Sequence, residues 1–186
     1  MDIQKVYFAP ANFEPPGNFG RSRSINFDGL LLTDEISGRN DKRFAFVQLC
    51  RDGALEVVRG EITVKDHRPP HPACFVAKRV QEMVDALPRF LAGLSSLGLP
   101  GPFATVLSVL GVEGSQLDEE CGSYSFPPKL CHRPDLLLPL ALIEDPHDTA
   151  QVFRRLRAPL DALWNAFGYL RCPWYDDNGD WRGSSG

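Results

Sequence analysis

No apolar run in this chain is long enough to cross a bilayer, and residues 1 to 10 lack the basic start and apolar core of a secretory signal. The expectation is a cytoplasmic protein with no membrane association. Positive charge is also scarce: 20 Lys and Arg face 24 Asp and Glu, for a net charge of −4. That balance excludes a strong phosphate grip by the whole surface, though not a local basic patch. The cysteines, Cys50, Cys74, Cys121, Cys131 and Cys172, are odd in number and contain no C-x-x-C pair. Neither a disulfide framework nor a zinc ribbon is indicated, and reduced thiols are expected.

Catalytic motifs are missing as well. There is no G-x-S-x-G elbow, and no cysteine and histidine carry the signature of a nucleophilic pair. GNFGRSRS contains glycine and basic residues but lacks the Lys-Ser/Thr ending of a phosphate loop and leads into a strand. Glu56, Glu61 and Lys65 are spaced too loosely for a metal-dependent nuclease. No catalytic residue and no cofactor is therefore assigned.

What is present is an ordinary globular composition, with 43% hydrophobic and 24% charged residues in a chain of 186. A chain of this size buries enough surface to fold without metals or disulfides. Residues 9–24 are rich in Pro, Gly, Asn and Ser, and 1–23 read as an irregular leading segment. SINFDGLLLTDE, RFAFVQLCRD and ALEVVRGEITV read as three strands, with Phe44, Phe46 and Gln48 on one face. Asp52-Gly53 marks a hairpin between the second and third.

After the polar joint KDHRPPHP, Val76, Val80, Met83, Val84, Leu87, Leu91 and Leu94 form one helical stripe between Ala73 and Leu97. Pro88 lies inside it and predicts a kink or two helices. FATVLSVLGVEGSQL reads as a central strand covered on both faces. DLLLPLALIED reads as another, with Pro139 pushing it to an edge or bulge. Residues 119 to 133 read as a surface loop.

A final helix starts at Asp148 or Thr149 and stops at Gly168, with Val152, Phe153, Leu156, Leu160, Leu163, Trp164 and Phe167 on its apolar face. The order strand-strand-strand-helix-strand-strand-helix predicts an α+β fold. Its mostly antiparallel five-stranded sheet carries helices on one face. The expected body is a single domain over residues 24–182, followed by a flexible tail, 183–186.

LWNAFGYLRCPWYDDNGDW holds all three tryptophans of the chain. Gly168 turns the chain, Pro173 forbids further helix and Asn178-Gly179 makes a tight turn, so the aromatics can fold back as a structural latch. Two rival readings use the same side chains: a base- or ligand-stacking platform, opposed by the neighbouring carboxylates, and a partner anchor. If the segment binds a partner, Trp174, Tyr175 and Trp181 are the candidate residues, with Arg154, Arg155 and Arg157 of the last helix beside them. The acidic turn lacks the ligand order of a calcium loop. His67, His71 and Cys74 in HRPPHPAC, with Cys131 as a distant fourth, are the candidate metal ligands, set against a surface linker with solvated histidines.

NFDGLLL, FVQLCRDGALEVVRG, DLLLPLALIED and above all LDALWNAFGY followed by CPWYDDNGDW resemble the C-terminal region that follows a Schlafen/AlbA-like DNA-binding domain in many bacterial proteins. The resemblance extends from about Tyr7 onward. It implies a module in which nucleic-acid binding belongs to the preceding AlbA-like domain, and it transfers no catalytic residue. The functional expectation is a non-catalytic interaction or regulatory module of a bacterial nucleic-acid-associated or defence-related system, with a protein partner and nucleic acid reached through it. The alternatives are a metal-dependent nuclease or phosphoesterase and a direct nucleic-acid-binding domain.

Overall fold

The computed structural model describes residues 10–16, 20–35, 45–60, 62–64, 72–117 and 129–183. Two compact units emerge, one from residues 1–61 and 82–101, the other from 62–81 and 102–186. The fold class is α+β, with two α-helices and predominantly antiparallel pairing among the described residues.

The first unit is organised by a four-stranded antiparallel meander: β1 (Gly20–Ile25), β2 (Gly29–Glu35), β3 (Ala45–Cys50) and β4 (Leu55–Arg59), in that spatial order. The stretch 24–35, expected as one strand, is instead a hairpin, and β1 begins within the leading segment expected to be irregular. The cause is Asn26. Its backbone N–H donates to the Gly29 carbonyl at 2.9 Å, and its side-chain oxygen accepts from the Gly29 N–H at 2.8 Å, so the chain reverses around Phe27-Asp28. Asp52-Gly53 makes the expected second turn, in which the Asp52 carboxylate accepts from the Ala54 N–H at 2.9 Å.

Alternation assigns the two faces of this sheet. Leu32, Val47 and Val57 lie opposite one another across three strands, as do Leu30, Leu49 and Leu55. Arg59 projects from the same face and reaches Glu82 of helix α1 (Ala77–Ser96) at 3.7 Å, which places the helix over that face. Val84, Phe90, Leu91 and Leu94 of α1 are buried. The helix runs unbroken through Pro88, so two helices do not form. It starts later than the stripe suggested, because residues 74–75 belong to a strand.

The second unit holds three short ladders and helix α2 (Thr149–Ala166). β5 (Thr63–Val64) pairs antiparallel with β6 (Cys74–Phe75), which pairs parallel with β9 (Gln116–Leu117). β7 (Phe103–Thr105) pairs with β11 (Ala141–Ile143), and β8 (Ser108–Leu110) with β10 (Asp135–Leu137). The last two ladders lie in line as one ribbon, joined by the Leu138 N–H to Leu107 carbonyl bond at 3.1 Å. Thr105 faces Ala141 and Ser108 faces Leu137, so two residues on one strand oppose three on the other. That is a bulge, and Pro139 occupies it as the sequence predicted.

The five-stranded sheet is thus replaced by a four-stranded sheet plus separate ladders. The segment 103–117 is not a central strand: it breaks into β7, β8 and β9, and Ala104, Val106, Ser108 and Leu110 are exposed. Its inward residues meet α2 through β11, where Ala141 and Ile143 are buried. Asp148 caps α2 by accepting from the Gln151 N–H at 3.0 Å. Gly168, at φ +81°, ends it with the Tyr169 N–H returning to the Trp164 carbonyl at 3.1 Å. That left-handed step favours glycine because it has no Cβ. Among the described residues, no helix is long and apolar enough to cross a membrane.

Candidate functional site

The aromatic segment is closed on itself. Trp164 leaves α2 inward and meets the Trp174 ring edge-on at 4.5 Å. Trp181 stacks on Phe153 at 4.9 Å and contacts Trp174 and Tyr175 edge-on at 5.6 and 5.2 Å. Trp174 is 2% exposed and Tyr175 6%. Rings at these distances add to the stability already gained from their buried area.

The turn that returns Trp181 is built by Asp176. One of its carboxylate oxygens accepts from the Asn178 and Asp180 N–H groups, each at 2.9 Å, and the other meets Arg182 at 3.0 Å. The Asp180 N–H, followed by Arg182, holds the Asp176 carboxyl below the usual carboxylate range. Tyr175 then pairs with Trp181 across the turn. The Tyr175 hydroxyl donates to the Phe153 carbonyl at 2.6 Å, and burial raises its pKa far above the ordinary phenol value. Gly179, at φ +83°, sits where an added Cβ would fall 2.5 Å from an Arg157 guanidinium nitrogen.

Of the six candidate partner-binding residues, Trp174 and Tyr175 are therefore spent in packing and Trp181 is half-buried against them. Arg154, Arg155 and Arg157 each have a carboxylate: Asp180 at 3.8 Å, Glu144 at 2.9 Å and Asp161 at 3.7 Å. Arginines so paired offer less to a phosphate than their number suggests.

Among the described residues the metal candidates form no ligand set. His67 and His71 lie outside the described residues. Cys74 is disulfide-bonded, contrary to the expected reduced thiol, and so presents no thiolate. Cys131 is a buried free thiol beside the Arg133 carbonyl at 3.5 Å. Among the described residues, no group of three His, Cys, Asp or Glu converges.

An open surface exists elsewhere in the second unit. On the outward face of the ribbon, Val106, Leu110, Leu137, Leu140 and Leu142 are exposed by 61, 60, 78, 59 and 44%. Ribbon alternation places Ala104, Val106 and Leu110 on one strand and Leu137, Leu140 and Leu142 on the other, opposite the buried Val109, Leu136, Ala141 and Ile143. The clue in the sequence was Pro139: once it demoted the second segment from a central strand, the partner strand also lost its cover. No protein-family model, curated protein or solved structure matches the chain.

Proposed function

We propose that this chain is a non-catalytic interaction module whose protein partner docks on the outward face of the ribbon at residues 103–110 and 135–143. One observation carries the reading: five large apolar side chains stand exposed on one side of a two-stranded ribbon whose other side is buried. Isolated exposed leucines need no explanation, whereas a contiguous apolar face is a feature of interaction sites. Within the described ribbon segments 103–110 and 135–143 the outward positions carry one charge, Asp135, whose carboxylate already accepts from the Gly111 N–H at 3.0 Å. Such a face suits an apolar protein surface and offers no cation to a nucleic-acid backbone.

The resemblance to Schlafen/AlbA-associated C-terminal regions supplies the partner to try first, an AlbA-like domain of a bacterial nucleic-acid-associated or defence-related system. In that assembly the partner contacts the nucleic acid. The test is to supply an AlbA-like domain in trans and follow the complex by size exclusion with light scattering. The wild type should co-elute, and Leu137→Ser with Leu142→Ser should abolish the complex at an unchanged thermal midpoint. Undiminished binding by that double variant contradicts the docking face. Concentration-dependent self-association of the wild type would give the face to a second copy instead.

A further inference from the structure

The second face of the β1–β4 sheet, opposite the side covered by α1, bears its own arrangement of side chains. Register sets them in two rows, Leu31, Gln48 and Glu56 in one and Thr33, Phe46 and Val58 in the next. These rows line a cavity of about 450 Å³ with Asp28 at its margin. That is the size of a small-ligand pocket.

Its polar groups are unevenly satisfied. Gln48 is 7% exposed, and its side-chain oxygen accepts from the Asn26 amide at 2.8 Å, leaving one lone pair over. Thr33 is 6% exposed, and no hydrogen bond joins its hydroxyl to any described residue. The hydroxyl itself still reaches solvent, so its lone pairs are open to a donor arriving in the cavity. At the rim, Asp28 and Glu56 are exposed and form no ion pair among the described residues. Nearby Arg51 directs its guanidinium to the Phe27 and Asn26 carbonyls at 3.1 and 3.4 Å.

We propose that this cavity binds a guanidinium or ammonium group carried on an apolar stem. The rim carboxylates attract and orient the cation, the Thr33 hydroxyl and Gln48 carbonyl oxygen accept its N–H groups, and Leu31, Phe46 and Val58 take the stem. A planar guanidinium fits best because it donates in several directions and stacks on an aromatic ring. Beside the cavity the Cys50 thiol is raised first by burial and then by the carboxylates of Asp52, Asp28 and Glu56, which add negative charge on that side. A phosphate or carboxylate ligand would meet repulsion at the same rim.

The chemistry has two sources, a free organic cation or the arginine side chain of an extended peptide, and titration followed by amide NMR separates them. The probes are agmatine, an arginine-centred hexapeptide, and the same peptide with neutral citrulline at its centre. Shifts at Leu31, Thr33, Phe46, Gln48 and Val58 on adding a cationic probe support the proposal, and the probe that binds more tightly identifies the source. Glu56→Gln should weaken that probe by about tenfold, as loss of a charge-assisted bond does. Thr33→Val should also weaken it while leaving the thermal midpoint nearly unchanged. Equal binding of the citrulline peptide, shifts confined to other residues, or no shift with any probe overturns the proposal.

Discussion

The second unit contains two apolar concentrations with opposite fates. The segment 163–181 closes Trp164, Trp174, Trp181 and Phe153 against one another. The ribbon of β7, β8, β10 and β11 leaves Val106, Leu110 and Leu137 more than half exposed. Richness in apolar side chains is common to both. What separates them is whether the chain returns over them: Gly168 and the Asp176 turn bring the tail back, whereas the ribbon has a single covered side. Apolar density marks where energy is available, and chain reversal decides whether packing or a surface results.

The largest expected effect breaks the closed side. Trp174→Ala should cost about 3–5 kcal/mol through lost burial and the cavity left behind, read as the urea midpoint by circular dichroism. Next, Gly179→Ala should cost about 1 kcal/mol or more, because φ +83° disfavours a Cβ that also crowds Arg157. The midpoint of thermal unfolding measures it.

Tyr175→Phe should remove about 1 kcal/mol with the Phe153 hydrogen bond, and it also changes the response to alkali. The folded phenol holds its proton more tightly than the unfolded one. Its contribution is therefore complete below the ordinary phenol value of about 10 and is lost as pH rises through the higher folded value. Stability measured above about pH 10 should fall more steeply in the wild type than in Tyr175→Phe.

Asp176 has the opposite sign. Its folded carboxyl is held low, so its contribution is present above the ordinary carboxylate value and is lost as pH falls through the folded one. Asp176→Asn should give a small downward shift in thermal midpoint at neutral pH that narrows in acid. The smallest effect belongs to the open side. Leu137→Ser should change stability by less than about 0.5 kcal/mol in the same urea assay.

The closed half of this contrast could be read from residue order, whereas the open half could not, since 103–117 reads as a strand covered on both faces. The Asp148 cap, the Gly168 stop, the Asn178-Gly179 turn and the aromatic latch all follow from local chemistry, and local chemistry is what a sequence displays. The α+β class followed from the same signals. Long-range pairing was less accessible. Nothing in CF or QL announces that Cys74–Phe75 pairs in parallel with Gln116–Leu117. The Asn26 reversal was hidden inside a run whose alternation continued on both sides of it. The groove residues Thr33, Phe46, Gln48 and Glu56 come together only through cross-strand register, although the shared face of Phe46 and Gln48 was already apparent. The disulfide at Cys74 had no spacing signature at all.

Hydroxyl-radical footprinting of the intact protein weighs the two apolar regions in one experiment. Free tryptophan is oxidised faster than free leucine, so exposure alone must reverse that order. The predicted result is strong protection at Trp174 together with ready oxidation at Leu137 and Leu142. Rapid oxidation of Trp174 with the ribbon leucines protected would contradict the account.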